Sequence, residues 1–124
     1  MTALLNHTII AALDRHESAA FYCHMLEASE TESWGLFSNI MIGGGVMLQF
    51  AEPPFPIQMQ HYAFLVCDDH FDRALMRLND GGITYWADPQ MSRPGQTNTD
   101  HGGRGVYFKD PAGHALELIT QPYV

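Results

Sequence analysis

The same landmarks occur twice in this chain at one constant spacing. His7 and His61 lie 54 positions apart, and so do Asp14 and Asp68, His16 and His70, and Ala20 and Ala74. In each half a His is followed by a mostly apolar stretch, then an Asp, then an amphipathic segment. Coincidence on matching landmarks points to one supersecondary unit used twice. The first half reads as a strand over 5–12 and a helix to about Leu26. Asp14 is the N-cap, Glu17 sits where a capping-box acid belongs, and Ser18, Phe21, Tyr22, Met25 and Leu26 share a face. Strands over 33–42 and 45–51 flank Gly43-Gly44-Gly45, and the prolines of 53–56 mark a connector. The second half reads as a strand over 61–66 and a helix capped by Asp68 or Asp69, with Phe71, Ala74, Leu75 and Leu78 on its apolar stripe. Gly81 and Gly82 end that helix. There follow a short strand at 83–86, a polar loop at 88–103, a strand at 105–109, a turn at Asp110-Pro111-Ala112-Gly113 and a last strand at 114–120. The fold class is α+β, with the βαβββ pattern written twice. One domain is expected over 1–124, with module one at about 1–56 and module two at about 57–124.

Composition narrows the function classes. The chain has 124 residues with 46% hydrophobic and 16% charged, enough apolar material for a packed core. Fourteen acidic residues against six basic ones give a net charge of −8, and Lys109 is the single lysine. That balance argues against a nucleic-acid or anionic-membrane partner, both of which require a basic surface. No apolar run reaches membrane-spanning length, and no signal peptide is read at Met1–Asn6. Cys23 and Cys67 form no CxxC and are read as reduced thiols of a cytoplasmic protein.

Strand alternation places chemistry on one face of each module. Residues two apart share a face, so His7 groups with Ile9 and Ala11, Gln49 with Met47 and Ala51, His61 with Ala63 and Leu65, and Glu117 with Ala115 and Ile119. Four strands thus offer His7, Gln49, His61 and Glu117 at corresponding places in two repeats. Leu48-Gln49-Phe50 and Leu116-Glu117-Leu118 are the matching pair. Two imidazoles and one carboxylate are a common set for Fe(II), Mn(II), Co(II), Ni(II) or Zn(II), and Gln49 adds a neutral oxygen as a fourth candidate. The competing reading is four unrelated polar residues that hydrogen-bond at strand ends. His16, His24, His70 and His114 are expected at the surface or in turns.

The segments Asn6-His7-Thr8-Ile9-Ile10, Ser18-Ala19-Ala20-Phe21-Tyr22, Gln60-His61-Tyr62-Ala63-Phe64-Leu65-Val66 and above all Val106-Tyr107-Phe108-Lys109-Asp110-Pro111-Ala112-Gly113-His114-Ala115-Leu116-Glu117-Leu118 resemble the vicinal oxygen chelate superfamily. That superfamily includes glyoxalase I, fosfomycin-resistance enzymes, extradiol dioxygenases and bleomycin-binding proteins. The resemblance covers nearly the whole chain. It implies paired modules forming a half-barrel cup, a divalent metal held at His7, Gln49, His61 and Glu117, and a homodimer. It also implies a small-molecule substrate with adjacent oxygens. Gln49 stands where a glyoxalase would carry a basic carboxylate, and an amide is no general base. An extradiol-type Fe(II) dioxygenase is supported by His101 and Tyr107, which precede Glu117 as candidate catalytic residues. Arg93, Arg104 and Trp86 are candidate substrate contacts. The alternative outside catalysis is a metal-free, drug-sequestering binder of the bleomycin-resistance kind, for which the negative charge and exposed aromatics would suit a cationic ligand. The loop at 88–103 is expected to act as a specificity-setting lid.

Overall fold

The β-branched run Thr8-Ile9-Ile10 favours an extended chain and makes β1 (His7–Ala11), and Asp14 then starts a helix. Its carboxylate accepts from the backbone N–H groups of His16 and Glu17, two of the donors a helix start leaves without partners. In the computed structural model, which describes all of residues 1–124, two compact units form, Met1–Gln58 and Met59–Val124.

The first unit runs β1 (His7–Ala11), α1 (Arg15–Leu26), β2 (Ser29–Glu30), β3 (Ser38–Ile42) and β4 (Val46–Ala51). Its sheet order is β1-β4-β3-β2, with β1 parallel to β4 and the other pairs antiparallel. Ile10, Ala19, Tyr22, Met25, Ile40, Leu48 and Phe50 form the buried set, and the Tyr22 and Phe50 rings meet at 4.7 Å. Each such large apolar side chain contributes about 1.5–3 kcal/mol on leaving water. Gly44 and Gly45 sit at φ +78° and +74°, so the turn between β3 and β4 needs the glycines found there.

The second unit repeats the plan as β5 (His61–Leu65), α2 (Asp68–Asp80), β6 (Tyr85–Trp86), β7 (Gly105–Lys109) and β8 (Ala115–Ile119), in sheet order β5-β8-β7-β6. Again the first strand lies parallel to the last and the rest are antiparallel. Phe71, Ala74, Leu78, Val106, Phe108, Leu116 and Leu118 are buried. The α+β class and the twofold βαβββ plan therefore stand as read.

Four local expectations are corrected. The strand expected over 33–42 begins only at Ser38, because Phe37 N–H turns back to the Trp34 carbonyl and Gly35 takes φ +57°. The cap of α2 is Cys67, whose side chain makes no capping bond. Asp68 and Asp69 lie in the first turn, where their charge suits the positive end of the helix dipole. Phe21 and Leu26 are only half-buried, and Ala19 takes the place given to them. His70 and His114 are buried. His114 Nδ1 accepts the Gln60 N–H at 3.0 Å and so fastens the entry to β5.

Candidate metal and substrate centre

The two sheets present their polar residues in the same register. In β1–β4, His7 lies opposite Met47 and Gln49 stands two residues further, opposite Ile9. In β5–β8, His61 lies opposite Ala115 and Glu117 stands two residues further, opposite Ala63. Each His is therefore a diagonal neighbour, on one face, of the amide or carboxylate of its own sheet. The third strands match as well, because Asn39 lies opposite Gln49 as Tyr107 lies opposite Glu117.

In the second unit this register becomes direct contact. His61 Nε2 is 3.1 Å from Glu117 Oε1, and His61 Nδ1 is 3.0 Å from the Ala115 carbonyl. A carbonyl only accepts, so Nδ1 carries a ring proton, and Nε2 faces the carboxylate. A carboxylate oxygen only accepts, so a ring proton on Nε2 or a cation bridges the two. Glu117 is 1% exposed, and a carboxylate at that depth requires compensation. An imidazole fixed through Nδ1 with Nε2 turned to a buried carboxylate is an arrangement a divalent metal takes, so the donor set fits one. His7 is prepared in the same way, with Nδ1 at 2.7 Å from Asn6 Oδ1. Gln49 is buried at the matching place in its own sheet. No three His, Cys, Asp or Glu side chains of the chain gather into such a cluster.

The second carboxylate oxygen is occupied by a residue that the sequence did not flag. The Tyr123 hydroxyl donates to Glu117 Oε2, and the Tyr107 hydroxyl lies 3.4 Å from that of Tyr123. Tyr123 has one proton and gives it to Glu117, so Tyr107 is the donor in the second contact. Burial first, and then hydrogen bonds to Tyr123 and Glu117, lift the Tyr107 phenol far above its ordinary range. Burial and the Glu117 carboxylate also raise Tyr123. Both phenols are thus donors at neutral pH and neither is a base. The Tyr107 ring stacks 6.1 Å from that of His61.

His101 reaches this cluster through Tyr123, whose ring it overlies at 3.7 Å. Trp86 sits beside Tyr107 in the β6–β7 pairing. Arg104 is placed elsewhere: its guanidinium lies 4.4 Å over the Phe71 ring and 2.7 Å from Asp72, both on α2. Arg93 is exposed, and its backbone N–H closes a turn onto Asp88. Tyr123 was missed because it follows β8 in a tail with no periodic pattern. The one available signal was an aromatic residue after Pro122, close behind the Glu117 strand.

The sequence profile of the Glyoxalase/Bleomycin resistance protein/Dioxygenase superfamily matches residues 4–118. The chain belongs to that superfamily. Among its solved members, Oxidase ChaP-H2 is 47% identical and superposes with a TM-score of 0.95, over 99% of this chain and 97% of that one. Oxidase ChaP-H1 is 44% identical with a TM-score of 0.94, over 98% of each chain. Glutathione transferase FosA of Serratia marcescens is 30% identical over 95% of this chain and 81% of its own length. These superfamily relatives are named as enzymes, and the two-module sheet plan is the fold they share. No helix of the chain is long and apolar enough to cross a membrane.

Proposed function

We propose that the chain is a divalent-metal-dependent enzyme of the oxidase branch, acting on a small substrate that carries adjacent oxygens. The carrying observation is the His61–Glu117 pair, whose imidazole Nε2 and buried carboxylate oxygen converge at 3.1 Å. The reading takes residues 1–124 as one superfamily domain and keeps His7, Gln49, His61 and Glu117 as its candidate ligands. When bound, the metal supplies Lewis acidity to a chelating pair of substrate oxygens. The chain's own residues do the rest. Tyr107 turns its one phenol proton from Tyr123 toward a substrate oxygen as negative charge develops there. Trp86 and the His101–Tyr123 stack offer flat apolar surface beside it, which suits an aromatic substrate. The names of the two oxidase relatives support redox chemistry over group transfer. Arg104, a cation that a phosphonate substrate would call for, is already paired with Asp72.

The test is elemental analysis of protein purified without chelator, alongside His7→Ala and Glu117→Ala. The expected result is close to stoichiometric first-row metal in the wild type and its loss in both variants. Full metal content in both variants would remove these residues from the ligand set. A metal-free wild type that cannot be loaded would favour the drug-sequestering alternative.

A further inference from the structure

Glu117 uses its two oxygens differently. Oε1 faces His61 Nε2, whereas Oε2 takes the proton of Tyr123. Tyr123 lies beyond the last strand, so something must hold it in place, and four contacts do. The Arg104 N–H donates to Thr120 Oγ1 at 2.7 Å, and the Thr120 N–H donates to the Arg104 carbonyl at 3.0 Å. Gly103 lies flush against the tail, so that a Cβ there would come within 2.5 Å of Thr120 Oγ1 and 2.6 Å of Gln121 Cγ. His101 then overlies the Tyr123 ring. The end of the 88–103 loop therefore fixes the tail, and the tail fixes the carboxylate.

We propose that Tyr123 is the positioning residue for Glu117, occupying Oε2 so that the carboxylate offers Oε1 alone, beside His61, as a single-oxygen ligand. This rests on the metal reading above. A carboxylate without that hydrogen bond is free to rotate and bind through both oxygens, which changes both the affinity and the coordination number of the ion. Outer partners of this kind typically govern metal affinity by about 10–100-fold. Gly103 has a role on the same account, since its missing side chain lets the loop press on Thr120 and Gln121.

The experiment titrates Co(II) into metal-free protein against a competing chelator and records the visible spectrum of the loaded form. Wild type, Tyr123→Phe and Gly103→Ala are compared. Tyr123→Phe keeps the ring and its stack on His101 and removes only the hydroxyl. The expected result is Co(II) affinity weaker by about 10–100-fold, together with a weaker visible band as the second carboxylate oxygen enters the coordination sphere. Gly103→Ala retains every polar group and should shift both readouts in the same direction, which keeps the test open if Tyr123→Phe folds poorly. Unchanged affinity and spectrum in a folded Tyr123→Phe overturn the positioning role and leave the metal site standing. A wild type that takes up no Co(II) overturns the metal reading itself, and this inference with it.

Discussion

At the scale of single residues, the hydroxyl of Tyr107 carries the sharpest functional expectation. It lies opposite Glu117 in the β7–β8 pairing, 6% exposed, and keeps its proton because burial and the neighbouring carboxylate disfavour the phenolate. Tyr107→Phe removes the donor and leaves the ring that stacks near His61. Metal content should stay at the wild-type level while turnover falls by about 10²–10³, the usual effect of losing one well-placed donor. Steady-state rates on any turned-over substrate check this, and wild-type rates would assign Tyr107 to packing alone. Much at this scale was legible beforehand. His61, Glu117 and Tyr107 follow from strand alternation together with a hairpin at Asp110–Gly113. The roles of Tyr123 and Gly103 were not legible, because they depend on where an aperiodic tail and the end of a loop meet. His114 was misjudged because a His beside a turn gives no sign that its ring will accept the Gln60 N–H and be buried.

At the scale of elements, caps and turns decide where strands become helices. Asp14 holds two N–H groups of α1, while α2 starts at Cys67 with no side-chain cap. Asp14→Ala should therefore destabilise the protein by about 1 kcal/mol. Thermal or urea unfolding measures this, and an unchanged midpoint would mean that packing of Tyr22 and Met25 alone sets α1. The β7–β8 turn was readable from Asp110-Pro111-Ala112-Gly113. The Asp110 carboxylate takes the N–H groups of Ala112 and His114, and Gly113 stands at φ +92°. The segment at 31–37 was not readable as a loop. Its Phe37 and Trp34 carry strand-like propensity, and only the left-handed Gly35 and the Ser33 hydroxyl, which takes the Asn39 N–H, break the strand. Tertiary partners overrode local preference there.

At the scale of the whole molecule, the expectation concerns a second copy. β1 and β5 are the outer strands of their sheets, and on the faces that carry His7 and His61 the side chains of Ile9 and Leu65 remain 55% and 61% exposed. Uncovered apolar strand edges call for a partner, and a homodimer is the proposed answer. If each cup draws its ligands from two chains, His7→Ala and Glu117→Ala proteins should complement each other. Dissociated and reassociated in equal amounts, they should regain metal at about a quarter of all sites, because half the dimers are mixed and each mixed dimer has one intact set. No recovery in a verified mixed dimer would place all the ligands within one chain, and sedimentation as a monomer would remove the dimer altogether.

The pairing of the first strand of each unit with its last has a consequence for biosynthesis. β5 finds its parallel neighbour only when β8 has been made, because His61 pairs with Ala115. At about 5–20 residues per second that interval is roughly 3–10 s, during which the Tyr62 and Phe64 strand has no ladder to join. The first unit meets the shorter wait, since His7 needs only Met47. Order during translation thus runs from the first sheet to the second, and the His61–Glu117 contact is among the last to form. A slow or interrupted ribosome between codons 66 and 114 would hold the chain with a folded first sheet and an unmatched fifth strand, the species on which chaperones would act.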